Sequence, residues 1–598
     1  MNERKTAKKK ESSNVKTFPV PFLTGEINED LTINTKTNSK PSKTEIINQA
    51  FKLHSQGNIL EAIKYYKLFI DQGFKDQRVF ANYGVILNNL GKLKEAENSY
   101  RKAIEMNPNF AEAHSNLGNI LNELGKLQEA EFSTRKAIGL NPNLANSHYN
   151  LGNILKNLGK SQEAEKSYRK AIALQPGYAK AYSNLGNILK DLGKLKEAEL
   201  SARKALEINP NFAEAHTNLG NILNEIGNSK EAEESTRKAI EINPNLANSH
   251  YNLGNILSDL GKSHEAEKSY RKAIELDPCS AEALNNLAFI LLKEKKFKEG
   301  FNKYEWRFKV NEMKNLKEFE FIKDKPEWTP NNNGRVLLWA EQGVGNEIQF
   351  ASMISEIVEQ VDQLIVKADE RLIPLFKRSF NQEIIYINRT QLIDVDTYDY
   401  HIAMGSLLKF LRKSKEDFEK CKKKYIRVNE IKSHYFKENL KDIEHKKIVG
   451  ISWRTIRRKD RGLNFSLERF LLGIYSPKIK FVCLQYGDVE KEITQLRKKH
   501  RIKVEIINEL DLFNDIDGLA SLIAACDEIV SIDNVTFQLA GAIGIKTHIL
   551  IPKECHWLHG VDDKKSYWYP SVNLYRQNKT HEWDLALKEI KNEIKVKN

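Results

Sequence analysis

The sequence contains no uninterrupted apolar run of about 18 residues, the length a membrane-spanning helix requires, so no membrane span is expected. No apolar segment follows the polar, basic stretch Met1–Lys10, which excludes an ordinary secretory signal. The five cysteines (Cys279, Cys421, Cys483, Cys526 and Cys555) include no CxxC pair. Scattered thiols point to a reducing compartment and away from structural zinc, so the expected location is cytoplasmic, with no metal site. The net charge of +14 does not by itself indicate nucleic acid, because acidic residues are interleaved with lysines, as in KLKEAENSYRKAIE. Interleaved charge is the pattern of a solvated helix face. No nucleic-acid-binding motif is present, so no nucleic-acid partner is expected. What the chain does have is length: 598 residues exceed what one core holds, and two or more domains follow.

The strongest positive signal is self-similarity. Gly57, Gly91, Gly125, Gly159, Gly193, Gly227 and Gly261 recur every 34 residues, and Pro108, Pro142, Pro176, Pro210, Pro244 and Pro278 keep the same step. In the unit beginning at Ala111, Leu117, Leu121 and Leu124 form an apolar stripe on a first helix. Gly118 and Ala130 remove bulk where two helices cross. Gly125 ends the first helix, and Asn141-Pro142 ends the second. A period of 34 with this pattern is the tetratricopeptide signature. Eight units are expected over 44–310, stacked as an α-solenoid because each pair leaves apolar surface for its neighbour. The first and last units are the least regular, as capping units are.

Asparagine recurs at one position of the units: Asn48, Asn82, Asn116, Asn150, Asn184, Asn218, Asn252 and Asn286. A second column, Asn119, Asn153, Asn187, Asn221 and Asn255, lies three residues on, on the same helix face. Asparagine is a mediocre helix former, and its amide both donates and accepts. A row of such amides suits an extended peptide backbone, which makes Asn82, Asn116, Asn150, Asn184, Asn218, Asn252 and Asn286 the candidate peptide-binding residues. Duplication of one ancestral repeat would produce the same column without that function. The array resembles that of O-GlcNAc transferases, whose asparagine-lined concave surface holds acceptor proteins.

Residues 1–43 read as a disordered basic tail carrying one apolar patch, Phe18–Gly25, and 311–334 as a linker ending in turn-formers. Beyond Gly334 short apolar runs alternate with helical stretches. Candidate strands are RVLLWA, QLIVKA, EIIYIN and YHIAMG, then, after a lysine-rich interval, KIVGISW, KFVCLQY, KVEIIN, EIVSID and THILIP. Strand–helix alternation implies parallel sheets. The interval divides the region into halves at 335–430 and 447–598, an architecture shared by many nucleotide-sugar glycosyltransferases.

Three loops carry chemical signal. WAEQGVGNEIQF passes Gly343 and Gly345 into a helix, where backbone N–H groups are unpaired. ISWRTIRRKDRG places Arg454, Arg457, Arg458, Lys459 and Arg461 after a strand, which suits a diphosphate or is simply a basic loop. VSIDNVTFQLAGAIG sets Asp533, Asn534 and Thr536 at a helix start, as caps or as ligand contacts. Together with WYPSVNLYRQ (Trp568–Gln577), these loops resemble the heptosyltransferase-like (GT-B) domain that accompanies tetratricopeptide repeats in bacterial proteins. The resemblance covers 335–580 and implies two Rossmann-like halves. It further implies a nucleotide-sugar site at Gly343, Gly345, Asn346, Trp453, Arg454, Asp533, Asn534, Thr536 and Gln538. The nucleotide sugar would be the donor substrate, with no other cofactor.

The departures from that family are specific. Asn346 stands where the family has its general-base aspartate, and Gln538 where it has histidine. Leu558 and His559 replace an arginine and a tryptophan in HWLHG. No residue is therefore assigned as catalytic, although Glu347 and His559 are nearby candidates for a base. The expected function is transfer of a sugar from a nucleotide donor to an acceptor, a protein or peptide held by the repeats. The alternative is a protein-interaction scaffold with a degenerate transferase-like domain.

Overall fold

The computed structural model describes residues 41–596 except 311–321, 323–324, 421–422, 456–464, 553–554 and 579–581. The tail Met1–Lys40, most of the linker, Cys421, and Arg457, Arg458, Lys459 and Arg461 therefore lie outside the described residues. The chain divides into two compact units, with the boundary between Ile256 and Leu257.

The first unit consists of antiparallel helix pairs. In the unit starting at Ala111, the first (A) helix is Ala111–Glu123 and the second (B) helix Leu127–Leu140. Between them Gly125 has φ of +76°, a left-handed conformation that glycine adopts without a Cβ penalty. The B helix stops at Asn141, whose side-chain oxygen accepts from the N–H of Asn143. The close crossing inferred for Gly118 is real: a Cβ there would lie 2.0 Å from Thr134 Oγ1 and 3.2 Å from the carbonyl of Ala130. At the next repeat the same space holds a tyrosine ring, and a Cβ on Gly152 would lie 2.5 Å from Tyr168 Cε1. Successive B helices are joined by ion pairs that repeat with the units. Arg101 bridges Glu97 and Glu129, Arg135 bridges Glu131 and Glu163, and Arg169 bridges Glu165 and Glu197. These arginines are about half exposed, so each bridge contributes little alone. They account for the interleaved charge of the sequence.

The second unit begins with helix pairs and continues into two parallel sheets. The strands are β1 (Arg335–Trp339), β2 (Gln363–Ala368), β3 (Ile385–Asn388) and β4 (Tyr400–Ala403), then β5 (Lys447–Ser452), β6 (Ile479–Cys483), β7 (Val504–Glu505), β8 (Glu528–Ile532), β9 (Thr547–Ile551) and β10 (Val572–Arg576). Their orders are β3-β2-β1-β4 and β10-β9-β8-β5-β6-β7, and every pairing between them is parallel. The second order is the 3-2-1-4-5-6 arrangement of a doubly wound sheet. The chain reverses direction between β1 and β4 and between β5 and β8, which opens a crevice at the carboxyl ends of those strands. Both faces of β1 are buried: Val336 and Leu338 join the large core, while Leu337 and Trp339 pack with Ile365 and Tyr398.

The last helix of the repeats, Phe297–Tyr304, is irregular for a physical reason. Its apolar face does not end the array in water. Phe297 lies against Phe418 and Tyr567, and Phe301 against Trp557, within the same core as the sheets.

Two glycines test this packing. Gly139 sits exposed in a helix with nothing within 4 Å of a would-be Cβ, so Gly139→Ala should raise stability by about 0.5–1 kcal/mol. Gly152→Ala should instead lower it by about 1–3 kcal/mol, because the buried Tyr168 ring must move. Urea-unfolding midpoints of the two variants check the opposite signs.

Candidate functional site

In the first unit Asn82, Asn116, Asn150, Asn184, Asn218 and Asn252 all lie half-buried on A helices, and Asn48 is exposed on the first helix. Several already have a structural partner. Asn218 Nδ2 donates to Ser183 Oγ at 2.8 Å, and Asn150 Nδ2 reaches Ser115 Oγ at 3.4 Å, each 35 residues back on the preceding A helix. Asn184 Nδ2 donates to Asn153 Oδ1 at 2.9 Å and to Tyr149 Oη at 3.2 Å. The column therefore stitches neighbouring repeats through its amide N–H groups. The amide oxygens of Asn150 and Asn218 take no partner among the described residues and are the groups left for a ligand N–H. The second column is also engaged: Asn119 donates to Glu123 and Asn153 accepts from Tyr168. Asn286, in the second unit, is half-buried on the helix Ala281–Lys293.

The sheets bring the remaining candidates to the carboxyl ends of their strands. After β1, Gly343 caps the helix Val344–Phe350. A Cβ on Gly345 would lie 3.7 Å from Gln538 Cγ and 3.8 Å from Val535 Cγ2, so this loop meets the helix Val535–Ile543 that follows β8. Asn346 is half-buried beside them, and its backbone N–H donates to Gly343. Glu347 turns away from the meeting point. Only 2% of its side chain is exposed, its Oε2 accepts from the Asp369 N–H at 2.8 Å, and its Oε1 lies 3.3 Å from Arg389 Nη1. Burial pushes its carboxyl up to about 7.

The crevice between β1 and β4 is already filled. Glu341, 1% exposed at the end of β1, accepts from Arg307 Nη2 at 3.1 Å and from the Gly405 N–H at 3.1 Å. Arg307, 5% exposed, also donates to Ser406 Oγ at 2.8 Å and Glu305 Oε1 at 2.6 Å. Burial raises the Glu341 carboxyl above its ordinary value, and Arg307 opposes that rise. No signal in the sequence pointed to this guanidinium.

After β5, a glutamine that sequence reasoning missed holds the chain. Gln485 Oε1 accepts from Ser452 Oγ, the Trp453 N–H and the Arg454 N–H at 3.1, 3.0 and 2.9 Å. Trp453 is fully buried and its indole N–H donates to Glu492 Oε2 at 3.0 Å. Arg454 pairs with Glu492 Oε1 at 2.5 Å and donates to the Asp488 carbonyl. Both side chains thus face the helix Glu490–His500.

After β8, Asn534 caps its helix and ties the two central strands of the sheet together. Its Oδ1 accepts from the Thr536 N–H at 3.0 Å and its Nδ2 donates to Ser452 Oγ at 2.8 Å. Thr536 is buried and its hydroxyl has no partner among the described residues. Gln538 accepts from the Tyr569 hydroxyl at 2.6 Å. That hydroxyl lies 3.2 Å from the Tyr425 hydroxyl, which donates to the Ile348 carbonyl. Asp533 meets His559, with Oδ2 and Nε2 3.1 Å apart. Among the described residues no cluster of three or more His, Cys, Asp or Glu side chains could hold a metal ion. No helix among them is long and apolar enough to cross a membrane.

Family models described as tetratricopeptide repeat match 111–144, 145–178, 179–212, 213–246, 247–278 and 269–300, and one described as TPR repeat matches 84–125. The helical region is a tetratricopeptide-repeat array. Protein FlbA of Caulobacter vibrioides is 28% identical over 267 residues, a match spanning 42% of this chain and 44% of that protein. Among solved structures, YrrB, described as a tetratricopeptide protein with an unusual peptide-binding site, is 28% identical. It covers 31% of this chain and 96% of its own, with a TM-score of 0.26. A tetratricopeptide protein from Parabacteroides merdae is 18% identical, covering 42% and 98%, with a TM-score of 0.36. In this array the A helices carry the asparagines.

Glu347 generates a pH prediction. Between the ordinary glutamate value of 4.5 and about 7, the unfolded chain has released this proton while the folded chain retains it. Stability therefore falls as pH rises through that window. Glu347→Gln should remove that contribution, which amounts to at most about 1.4 kcal/mol per pH unit. Urea unfolding of both proteins across the window measures the difference in slope.

Proposed function

We propose that the tetratricopeptide array holds an extended segment of a protein partner, and that the region after it is a GT-B-like sugar transferase of two Rossmann-like halves. The partner's backbone would offer N–H groups to the asparagine oxygens. The donor, a nucleotide sugar, would lie at the carboxyl ends of β5 and β8, the position that doubly wound sheets use for ligands. The observation that carries this reading is the meeting of two loops far apart in sequence: Gly345, from the first sheet, abuts Val535 and Gln538 at the helix start that follows β8. The bare glycine lets the two loops approach to van der Waals distance, and Asn534 and Asp533 bring polar groups to the same edge.

A second reading has its own support. Gln485 occupies the backbone N–H groups after β5, and Glu492 occupies Arg454. These are the groups a diphosphate would need, and Asn346 cannot accept a proton. A scaffold whose sheet region binds no nucleotide accounts for those bonds directly.

Nucleotide binding separates the two. Titration of the full chain with UDP, GDP and ADP should raise the melting temperature saturably with one of them, because a ligand bound only to the folded state stabilises it. Gly345→Leu should abolish the shift by forcing its loop away from Val535 and Gln538. Absence of a shift at millimolar concentration would leave the scaffold reading.

A further inference from the structure

The site after β8 contains a side-chain pair that the family resemblance does not supply. Asp533 directly follows β8, and its carboxylate is 28% exposed. His559 stands where the resemblance implies a tryptophan, and its ring is 1% exposed, with Nε2 3.1 Å from Asp533 Oδ2. Its position is fixed from both sides. The ring lies 5.8 Å from that of Phe537, and its backbone carbonyl accepts from Arg576 Nη2 at 2.5 Å. The other ring nitrogen, Nδ1, is buried with no partner among the described residues. An imidazole held in this way has one use for Nε2, to hold the carboxylate. A carboxylate oriented by a buried histidine, partly open at the edge of a ligand crevice, is the arrangement of a general base with its positioning partner.

We propose that Asp533 is the proton acceptor of the transfer reaction, oriented by His559, and that this pair takes over the role that Asn346 cannot fill. The inference rests on the transferase reading above. In the step, the acceptor hydroxyl oxygen bonds to the anomeric carbon of the donor sugar. The anomeric C–O bond to the diphosphate breaks, with its electron pair leaving on the nucleoside diphosphate. The hydroxyl proton passes to the Asp533 carboxylate. His559 acts through Asp533 and does not touch the reacting atoms. The charged and titratable groups around the pair include Arg576 on the His559 carbonyl and Asp563 bound to Lys295. Cys555 lies beside Arg576, and the Tyr569 hydroxyl interacts electrostatically with Asp533.

The test is release of nucleoside diphosphate from UDP-glucose, UDP-N-acetylglucosamine, GDP-glucose and ADP-glucose, with water as acceptor, beside binding of UDP, GDP and ADP by thermal shift. Wild type should bind one nucleotide and turn over its sugar. Asp533→Asn should still bind that nucleotide while kcat falls by about 100-fold or more. His559→Gln should lower kcat at unchanged KM. His559→Asn, too short to reach the carboxylate, should match Asp533→Asn more closely. Circular-dichroism melting of each variant separates loss of fold from loss of chemistry. If no nucleotide binds to wild type, the transferase reading fails and this inference with it. If nucleotide binds and wild type releases none, or if Asp533→Asn and His559→Gln keep the wild-type kcat, the pair is not the proton acceptor, although the nucleotide site stands.

Discussion

The sheet region depends on one buried guanidinium. A parallel sheet whose strands run outward from a central pair leaves a gap at their carboxyl ends, lined by unpaired backbone groups. Between β1 and β4 that gap is closed by Arg307, which neutralises Glu341 and, through Glu305 and Ser406, ties the end of the last repeat to both strands. Gly405 permits it, since a Cβ there would lie 2.3 Å from Glu341 Oε1. A buried ion pair adds little net stability over well-packed apolar residues, but removing one partner strands the other charge at a cost of about 3–5 kcal/mol. The position of the loop carrying Gly343 and Gly345 is therefore set by the residue that ends the repeats.

The corresponding gap in the second sheet, between β5 and β8, is organised differently. There the bridging group is neutral: Asn534 spans the two strands through Ser452, and Gln485 collects three donors on one oxygen. Neutral amides place no charge between β5 and β8, whereas Arg307 and Glu341 set a buried ion pair between β1 and β4. The two sheets thus share a strand order around their centres and differ in how the gap is bridged, by a buried ion pair in one and by neutral amides in the other.

Periodicity and strand chemistry were legible from residues alone. The glycine and proline columns mark the helix ends, and nine of the apolar runs read as strands coincide with β1 to β9, although β7 shrinks to Val504–Glu505. The tenth strand, Val572–Arg576, was hidden in a stretch read only as a motif, because its tyrosine and arginine give no clean alternation. The pairs that shape the candidate site were not legible. Arg307 and Glu341, Gln485 and Arg454, and Asp533 and His559 meet across 26 or more residues, so no local pattern pairs them even where a member sits in a quoted motif. The family resemblance implies that Trp453 and Arg454 are ligand contacts. Where their side chains turn is decided by Glu492, a residue on a different helix.

The asparagine stitching gives the array a grammar. In both Ser115–Asn150 and Ser183–Asn218, the donor and acceptor occupy the same repeat positions, so a junction made from one unit's front and another's back closes with an equivalent bond. Units of this kind can be added, lost or exchanged as whole blocks without leaving an unmatched edge. The junction at Tyr149, Asn153, Tyr168 and Asn184 is built differently, through two tyrosines that the adjacent units lack and that return in the sequence at Tyr251 and Tyr270. A serine-type unit put in place of a tyrosine-type one would leave that junction without its partners, so blocks trade cleanly only for their own kind.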